Sequence, residues 1–438
     1  MRRLLNPKHR RHAMLFKRKT KLKPGRPSNA SQTVMRRLEI PTSAIRIGMH
    51  IVNLDRPWSE VPLAFQKFVV ESREQIRTLQ AYCLSVTVDL TENQFQQYES
   101  ERRGSPLVEP WSKPESRPLD EALPQAQAHY IQAEAYIGEL LNNVAADRAV
   151  NLEGVQAVVQ GCVKSIIANP DAMVWLTRIR HEDAYTAEHC LRVGVLAITF
   201  ARFLNMPESD MEILGLCGML HDVGKMRISP DLLNKPGALS PEEWQIMKAH
   251  PTFGHDLLAV DGKLDPLVKE AALSHHERMD GSGYPHGLSG NNIGLFARII
   301  AIVDAYDAIT SDRPYQKGRS SMDALRILYQ CSGTHFDSDL VQTFISMIGL
   351  YPPGSLVELK SGEVAIVLSS SPEQKLKPVI ELVLDAAGNL SEPRVLRLAD
   401  NPLNADGEPY VIVHALPDAT DRFDLKSYIQ QRAKTPTD

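Results

Sequence analysis

The chain has 438 residues, of which 43% are hydrophobic and 23% charged, and its formal net charge is −4 at pH 7. A chain of this length exceeds one ordinary hydrophobic core, so the length suggests roughly three domains. The composition is that of a soluble globular protein, and the small net charge indicates no polyanionic partner. No apolar run approaches the roughly 20 residues of a membrane-spanning helix, which argues against such a helix.

The cysteine pattern indicates a reducing compartment. The five cysteines are odd in number and widely spaced, and most lie within apolar helical patterns. These cysteines are Cys83, Cys162, Cys190, Cys217 and Cys331. They are therefore interpreted as reduced core residues. The basic N-terminal segment is not followed by the apolar stretch and cleavage site of a signal peptide, so we expect a cytoplasmic protein.

The first 37 residues form a basic segment without a single acidic residue. Its cations are Arg2, Arg3, Lys8, Arg10, Arg11, Lys17, Arg18, Lys19, Lys21, Lys23, Arg26, Arg36 and Arg37. Such a segment is typically disordered and could make weak contact with nucleic acid or an anionic membrane. The alternative is a solvated tail, or a start site assigned too early, since Met35 directly precedes the first patterned segment. Because basic tails are common, this second interpretation is favoured.

Residues 38–101 predict a small α+β module. Short β-branched runs at 51–54 and 85–88 are separated by glycine, proline and aspartate, and they predict strands. The segment 72–82 between them predicts a helix that begins with a capping box at Ser72.

A helical domain is predicted over residues 120–350, after a linker at 102–119 that is rich in proline, serine and charge. Apolar residues recur at helical spacing through this region. Helix starts are well marked, because Ser240 combines an N-cap with a following proline and a capping-box glutamate, and Asp265 opens another helix before a proline.

Residues 351–438 predict a small β module that ends in a short polar, helical tail. Apolar runs at 356–359, 364–367 and 379–384 predict strands, and glycine-containing turns separate them. The predicted fold class is therefore multidomain, with an all-α domain between a small α+β N-terminal module and a small β C-terminal module.

The helical region concentrates residue types that bind metal ions. His221 and Asp222 end an apolar helix, with His221 on its buried face. Asp304 follows an apolar run at 296–303, where an unpaired carboxylate would be costly. The candidate ligands are His189, His221, Asp222, His250, His275, His276 and Asp304. Imidazole and carboxylate ligands without thiolate favour iron, manganese or zinc.

Each candidate alone has another explanation. A single histidine on an apolar helix face is more often a hydrogen-bonded core residue than a metal ligand. Asp304 could pair with Arg298 or Arg313, and His275 and His276 could point to water at a helix end. These explanations would have to hold together for seven residues of one domain, so a metal site is the better hypothesis.

Short motifs surround these candidates in a fixed order. They are HDVGK at 221–225, NKPG at 234–237, HHERMDGSGYP at 275–285, DAYDAIT at 304–310 and RPY at 313–315. This set resembles the HD-GYP family, a branch of the HD hydrolase superfamily. The resemblance runs from about Val174 to Gly349, which is less than half of the chain. It is specific, because a lone His-Asp pair would be weak evidence whereas the ordered set is strong.

The resemblance implies an HD-type helical catalytic domain and a role for each matching residue. The seven candidates correspond to the family's metal ligands, and Asp222 would bridge two ions. Lys225, one helical turn beyond the His-Asp pair, would point toward the substrate phosphate. The catalytic candidates are thus Asp222 and Lys225. Candidates for substrate binding are Lys225, Asp280, Gly283, Tyr284, Arg313 and Lys317.

One position departs from the family pattern. Tyr185 stands where some members have a glutamate or aspartate that supports a third metal, and neither Glu182 nor Glu188 is at the matching position. We therefore predict two divalent metal ions. Iron or manganese is preferred over zinc, because the ligand set is large and rich in oxygen on one side.

A phosphodiesterase that hydrolyses cyclic di-GMP is the activity that the resemblance implies. Two metal ions about 3.5–4 Å apart can activate a hydroxide and neutralise charge on the phosphoryl oxygens. Lys225 would stabilise developing charge or protonate the leaving 3′-oxygen. The first product would be pGpG, and Tyr185 leaves further hydrolysis to GMP open.

Three other functions remain open at this point. One is a cyclic di-GMP receptor or adaptor with little turnover, against which the intact ligand positions argue. Another is a phosphohydrolase of a different cyclic dinucleotide or of a nucleoside phosphate. A nucleic-acid-binding role would rest only on residues 1–37.

The N-terminal module resembles a domain of unknown function that often precedes HD-GYP domains. Pro57, Trp58 and the region 62–68 carry this likeness. The module would be a packing or dimerisation unit, or a sensor that gates the hydrolase, so a homodimer and a regulatory protein partner are both open. The C-terminal β module has no ligand cluster and is assigned no chemistry.

Overall fold

The computed structural model describes most of the chain outside its two ends. It describes residues 35–42, 45–54, 58, 61, 66–83, 85–103, 117–148, 152–178, 185–260, 264–311, 318–370, 376–416 and 423–434. Most of the basic N-terminal segment therefore lies outside the described residues, as do Pro57, Glu182, Arg313 and Lys317.

The N-terminal module is a four-stranded antiparallel sheet with two helices. Its elements are β1 (Met35–Pro41), β2 (His50–Leu54), β3 (Phe68–Val69), α1 (Arg73–Tyr82), β4 (Ser85–Thr91) and α2 (Glu92–Arg103), and the strand order is β1-β4-β2-β3. The predicted capping box is present, with the Ser72 side chain accepting from the backbone N–H of Gln75. Buried residues such as Ile51, Leu79 and Val88 form a separate core.

The first strand begins earlier than the sequence indicates. Arg36 and Arg37 were assigned to the basic segment, but they lie in β1 and pair with β4. The side chain of Arg36 contacts Glu92 at 2.9 Å and that of Arg37 contacts Asp89 at 2.8 Å. Both arginines thus form exposed charge pairs within the N-terminal module.

Helices make up the middle of the chain. They are α3 (Leu119–Ala145), α4 (Leu152–Ala168), α5 (Pro170–Leu176), α6 (Tyr185–Phe203), α7 (Glu208–Leu220), α8 (Pro230–Leu233), α9 (Pro241–Met247), α10 (His250–Ala259), α11 (Pro266–Ser274), α12 (Leu295–Thr310), α13 (Ser321–Gln330) and α14 (Ser338–Ile348). Short 3-10 helices occupy Val223–Arg227 and Gly290–Asn292. The helix starts predicted at Ser240 and Asp265 are confirmed, because each side chain accepts a hydrogen bond from a backbone N–H of the first turn.

Close packing of α6 against α7 brings two of the predicted ligands together. Gly194 on α6 faces Gly218 on α7, and a Cβ on Gly218 would lie 2.6 Å from the Cα of Gly194. Without side chains at this crossing, the two helix backbones can approach each other directly. The ends of the helices that carry His189 and His221 are thereby held side by side.

The C-terminal part is a five-stranded antiparallel sheet followed by a helix. Its elements are β5 (Leu356–Leu359), β6 (Val364–Ser369), β7 (Val379–Leu384), β8 (Leu390–Arg397), a 3-10 helix (Leu398–Asp400), β9 (Ile412–Ala415) and α15 (Leu425–Lys434), with the strand order β8-β7-β6-β5-β9. One face of the sheet joins the core of the helical region through residues such as Leu356 and Ile366. The indole N–H of Trp175 on α5 also donates to the Val367 carbonyl of β6 at 2.8 Å.

These observations confirm the predicted multidomain, helix-rich fold class. All five cysteines are free, and four of them are buried. Among the described residues, no helix is long and apolar enough to cross a membrane.

Candidate active site

The seven predicted ligands converge at one end of the helical region. His189 comes from α6, His221 and Asp222 follow α7, His250 begins α10, and Asp304 lies on α12. His275 and His276 come directly after α11. The ligand atoms fall into two groups, each within 4.8 Å: Asp222, His250, His275 and His276 form the first group, and His189, His221 and Asp304 the second.

Asp222 lies between the two groups. Its Oδ1 faces Nε2 of His250 at 3.3 Å and Nε2 of His275 at 3.8 Å. Its Oδ2 faces Nε2 of His221 at 3.3 Å and Nε2 of His189 at 3.6 Å. Each oxygen of this one carboxylate is therefore directed at a different group.

Backbone carbonyls fix the orientation of three of the imidazole rings. Nδ1 of His221 donates to the carbonyl of Gly218 at 2.7 Å, and Nδ1 of His250 donates to the carbonyl of Met247 at 2.8 Å. Nδ1 of His275 donates to the carbonyl of Ala272 at 2.9 Å. A carbonyl only accepts, so in the neutral ring Nε2 carries the lone pair and faces the carboxylates, which is the tautomer that metal-binding histidines use.

The donor set fits a metal cation. Nε2 of His221 and Oδ1 of Asp222 are buried and have no hydrogen-bond partner among the described residues. Burial would raise the pKa of Asp222, but the neighbouring His221 and Lys225 lower that pKa well below its usual range. Burial lowers the pKa of His276 to about 3, so this ring is neutral at physiological pH. Ionised carboxylates beside imidazole lone pairs require a positive charge, which a divalent ion supplies.

Two glycines allow the His-Asp turn to approach the helix of His250. A Cβ on Gly224 would lie 2.0 Å from the carbonyl oxygen of His250 and 2.4 Å from the backbone nitrogen of Gly254. A side chain at Gly224 would therefore push α10 away from Asp222. The glycine of the HDVGK motif thus permits the distance between Asp222 and His250.

Lys225 lies beside the shared carboxylate. Its Nζ donates to Oδ2 of Asp222, and 25% of its side chain is exposed. Burial would lower the pKa of Lys225, but Asp222 and Asp304 raise it overall, so the ammonium group stays charged. The structure thus places a positive charge at the rim of the ligand groups.

A loop built on the GYP motif covers the first group. The ring of Tyr284 lies 4.8 Å from that of His276, between centroids. A Cβ on Gly283 would lie 2.4 Å from the backbone nitrogen of Arg278, so this position accommodates only glycine. Asp280 is exposed, and its carboxylate accepts from the backbone N–H of Ser282 at 2.9 Å, which caps the loop.

Three of the sequence predictions concern residues or side chains outside the described part of the chain. Arg313 and Lys317, predicted to bind substrate, lie outside the described residues. The backbone of Tyr185 begins α6, but its side chain also lies outside the description. The roles of these residues stay predictions.

A layer of residues behind the candidate ligands was not predicted from the sequence. Asp307 accepts from Nδ1 of His189 at 2.8 Å and from the guanidinium of Arg192 at 2.8 and 3.1 Å. The buried carboxylate of Glu277 accepts from the backbone N–H groups of His286 at 2.7 Å and Leu288 at 2.9 Å. Asp307 lies one turn after Asp304 on an apolar helix, and this spacing was a signal that could have identified it.

Two family models match the chain. Residues 140–340 match the HD domain, and residues 37–155 match a domain of unknown function, DUF3391. The second match begins inside β1 and covers the rest of the N-terminal sheet, all of α3 and the first turn of α4.

Similar proteins support the same assignment, and one of them matches over most of its length. The chain is 32% identical over 363 residues to the cyclic di-GMP phosphodiesterase PA4108 of Pseudomonas aeruginosa, covering 81% of this chain and 87% of that protein. It is 38% identical over 168 residues to a cyclic di-GMP phosphodiesterase of Thermotoga maritima, covering 38% of this chain and 46% of that protein. It is 35% identical over 173 residues to the 3′3′-cGAMP-specific phosphodiesterase 3 of Vibrio cholerae, covering 39% of this chain and 37% of that protein.

The helical fold and the paired His-Asp groups are those of an HD-domain phosphohydrolase. The extended similarity makes the assignment more specific. The chain belongs to the HD-GYP family of phosphodiesterases and carries a DUF3391 domain in front of its catalytic region.

Proposed function

We propose that the protein hydrolyses cyclic di-GMP to the linear dinucleotide pGpG, with two divalent metal ions held by the seven ligands. The position of Asp222 is the main support, because its two oxygens face the two ligand groups at 3.3–3.8 Å. Asp222 is thus placed to help hold both ions of a two-metal site. The relatives from Pseudomonas aeruginosa and Thermotoga maritima are named for this activity.

The protein's own residues bind and orient the substrate in this mechanism. Bound metal ions would supply Lewis acidity and a water of lowered pKa. The ammonium of Lys225, charged and partly exposed beside Asp222, would donate to a non-bridging phosphoryl oxygen or protonate the leaving 3′-oxygen. The loop that carries Gly283 and Tyr284 would bound the substrate on the side of His276.

Iron or manganese is the proposed metal, and pGpG the proposed main product. The donor set is made of imidazole and carboxylate without thiolate, which these ions accept. Tyr185 offers no carboxylate for a third ion at the start of α6, so the second hydrolysis to GMP should be slow.

The test is incubation of anaerobically purified protein with cyclic di-GMP and Fe(II) or Mn(II), with chromatography of the products and a metal analysis. Formation of pGpG with about two metal ions per chain is expected for a two-metal site. Metal-loaded, folded protein that binds cyclic di-GMP without turnover would instead identify a receptor.

A second cyclic dinucleotide is a specific alternative. The relative from Vibrio cholerae is named as specific for 3′3′-cGAMP and is 35% identical over 173 residues, a similarity comparable with that of the cyclic di-GMP enzymes. Parallel assays with the two dinucleotides decide between them, because the higher kcat/KM identifies the preferred substrate.

A further inference from the structure

Three aromatic rings lead from the first ligand group to the protein surface. The ring of His276 lies 4.8 Å from Tyr284, and Tyr284 lies 6.2 Å from Trp244 in an edge-to-face arrangement with an angle of 77°. Trp244 is thus the outer member of a row that begins at a predicted metal ligand. It lies on α9, a helix to which neither the motifs nor the candidate site assign chemistry.

Helix α9 is fixed at both of its ends. At the N-terminus, Glu243 accepts from the backbone N–H of Ser240 at 2.7 Å and from Nζ of Lys235 at 2.7 Å. At the C-terminus, the carbonyl of Met247 accepts from Nδ1 of His250 at 2.8 Å. The same short helix therefore orients one imidazole of the site and holds Trp244 at a set position beside it.

Trp244 is unusually exposed for a large aromatic side chain that lies beside the candidate site. Its side chain is 45% exposed, although a Trp side chain gains a large hydrophobic free energy from burial. Ile246 on the same helix is similarly exposed, at 52%, but it has no aromatic ring and does not belong to the row of rings. Trp side chains are enriched at binding interfaces, where an apolar ring remains partly exposed until the partner binds.

We propose that Trp244 is a stacking platform for one purine base of the cyclic dinucleotide whose phosphodiester lies at the ligand groups. The inference rests on the proposed function. Stacking of a base on an aromatic side chain suits any purine, because every base presents a π-face. Trp244 would therefore strengthen binding of the dinucleotide without selecting guanine over adenine.

The effect should fall on substrate binding. Trp244 contacts the loop at Tyr284, and it is the Tyr284 ring that lies beside His276, so the indole should not touch the reacting phosphorus. A contact made equally in the ground state and the transition state changes KM and leaves kcat unchanged. Loss of one base stack should raise KM about 5- to 150-fold.

The experiment compares Trp244→Ala, Trp244→Phe and the matched control Ile246→Ala in the full-length, metal-loaded protein. Steady-state kinetics are measured with cyclic di-GMP and with bis(p-nitrophenyl) phosphate, a phosphodiester without a purine. The expected result is a raised KM for cyclic di-GMP in Trp244→Ala, with kcat for both substrates close to wild type. Trp244→Phe should recover most of the affinity, and Ile246→Ala should match wild type.

Two results would overturn the proposal. One is an unchanged KM for cyclic di-GMP in Trp244→Ala. The other is an equal loss of kcat with both substrates, which would show that the indole only supports the loop. If wild-type protein does not hydrolyse cyclic di-GMP, the proposed function fails. Equilibrium dialysis of cyclic di-GMP then tests the platform separately, and equal affinity of wild type and Trp244→Ala, or no binding by either, would reject it.

Discussion

Asp307 holds His189 from the side opposite to Asp304. Nδ1 of His189 donates to Asp307 at 2.8 Å, while Nε2 faces Asp304 at 3.1 Å. The two aspartates lie one turn apart on α12, so a single helix both presents a predicted ligand and orients its neighbour. Burial would raise the pKa of Asp307, but the guanidinium of Arg192 beside it lowers that pKa below its usual range, which keeps the carboxylate ionised.

Replacing Asp307 by asparagine should weaken metal binding. Outer carboxylates behind ligating histidines typically contribute about 10–100-fold in metal affinity, and we expect a loss in this range for Asp307→Asn. The change also removes one of the two carboxylates that pair with the buried Arg192, while Glu188 remains at 3.2 Å, so the free energy of unfolding should fall by about 1–3 kcal/mol. Metal titration of the folded variant and chemical denaturation measure the two effects.

The control for this variant is Asp256→Asn. The side chain of Asp256 is 71% exposed on α10, in the same region, so neither quantity should change beyond error. Metal affinity of Asp307→Asn equal to that of wild type would show that His189 does not need this partner.

Alanine at Gly224 should disrupt the site, whereas alanine at another helical-region glycine should not. A Cβ at Gly224 collides with the backbone of His250 and Gly254, and such overpacking costs about 1–3 kcal/mol or more. Gly138 lies within α3 with nothing within 4 Å of its added Cβ, so Gly138→Ala should stabilise the protein by about 0.5–1 kcal/mol. Thermal unfolding and metal content of both variants provide the measurement. Normal metal content in Gly224→Ala would contradict the close packing of α10.

Glu277→Gln should impair substrate use without removing metal. The Glu277 carboxylate accepts two backbone N–H groups of the GYP loop, and a glutamine amide can accept only one of them. An unsatisfied buried N–H costs about 1–3 kcal/mol, so the loop should shift and kcat/KM should fall about tenfold or more. Kinetics with cyclic di-GMP and metal analysis test this. The exposed Glu392→Gln on β8 is the matched control, and equal kinetics of the two variants would refute the role of Glu277.

Asp222→Ala and His221→Ala should abolish hydrolysis while the helices remain. Asp222 faces both ligand groups, so its removal should deprive each of them of an oxygen ligand. Saturating metal at 100 times its Kd stabilises a protein by about 2.7 kcal/mol, and this gain should vanish in both variants. Far-UV circular dichroism, metal-dependent thermal shifts and product chromatography are the measurements. Turnover at the wild-type rate by Asp222→Ala would refute a metal-centred mechanism.

Features that depend on residues close together in the sequence were mostly predicted. The capping boxes at Ser72 and Ser240 are confirmed, because each depends on residues three positions apart. The convergence of the seven ligands followed from ordered motifs, and the structure places their ligand atoms in two adjacent groups. Contacts between residues far apart in the sequence were harder to predict. The bond between Arg192 and Asp307 joins α6 to α12, and neither residue indicates the other from its local spacing.

The burial of the central strands of the C-terminal sheet on both faces was also not predicted. Strand β6 is buried at four consecutive positions, which matches its uninterrupted apolar sequence and departs from the alternation of a half-exposed strand. This run was a signal that both faces are covered. The apolar run could not show that the helical region packs against one of these faces. Leu356 and Ile366 enter a core that is assembled from segments far away in the sequence.

The last helix returns to the first long helix of the catalytic region. Arg432 on α15 contacts Asp120 on α3 at 2.8 and 3.1 Å, and Tyr428 lies 6.2 Å from the Trp175 ring. A fragment that ends near residue 350 would lose these contacts and leave the Trp175 indole without its acceptor. It would also expose to water the apolar surface of the helical region that the C-terminal sheet covers. Such a fragment should aggregate on expression. The C-terminal sheet and α15 therefore belong in any portion of the chain that is produced for crystallisation.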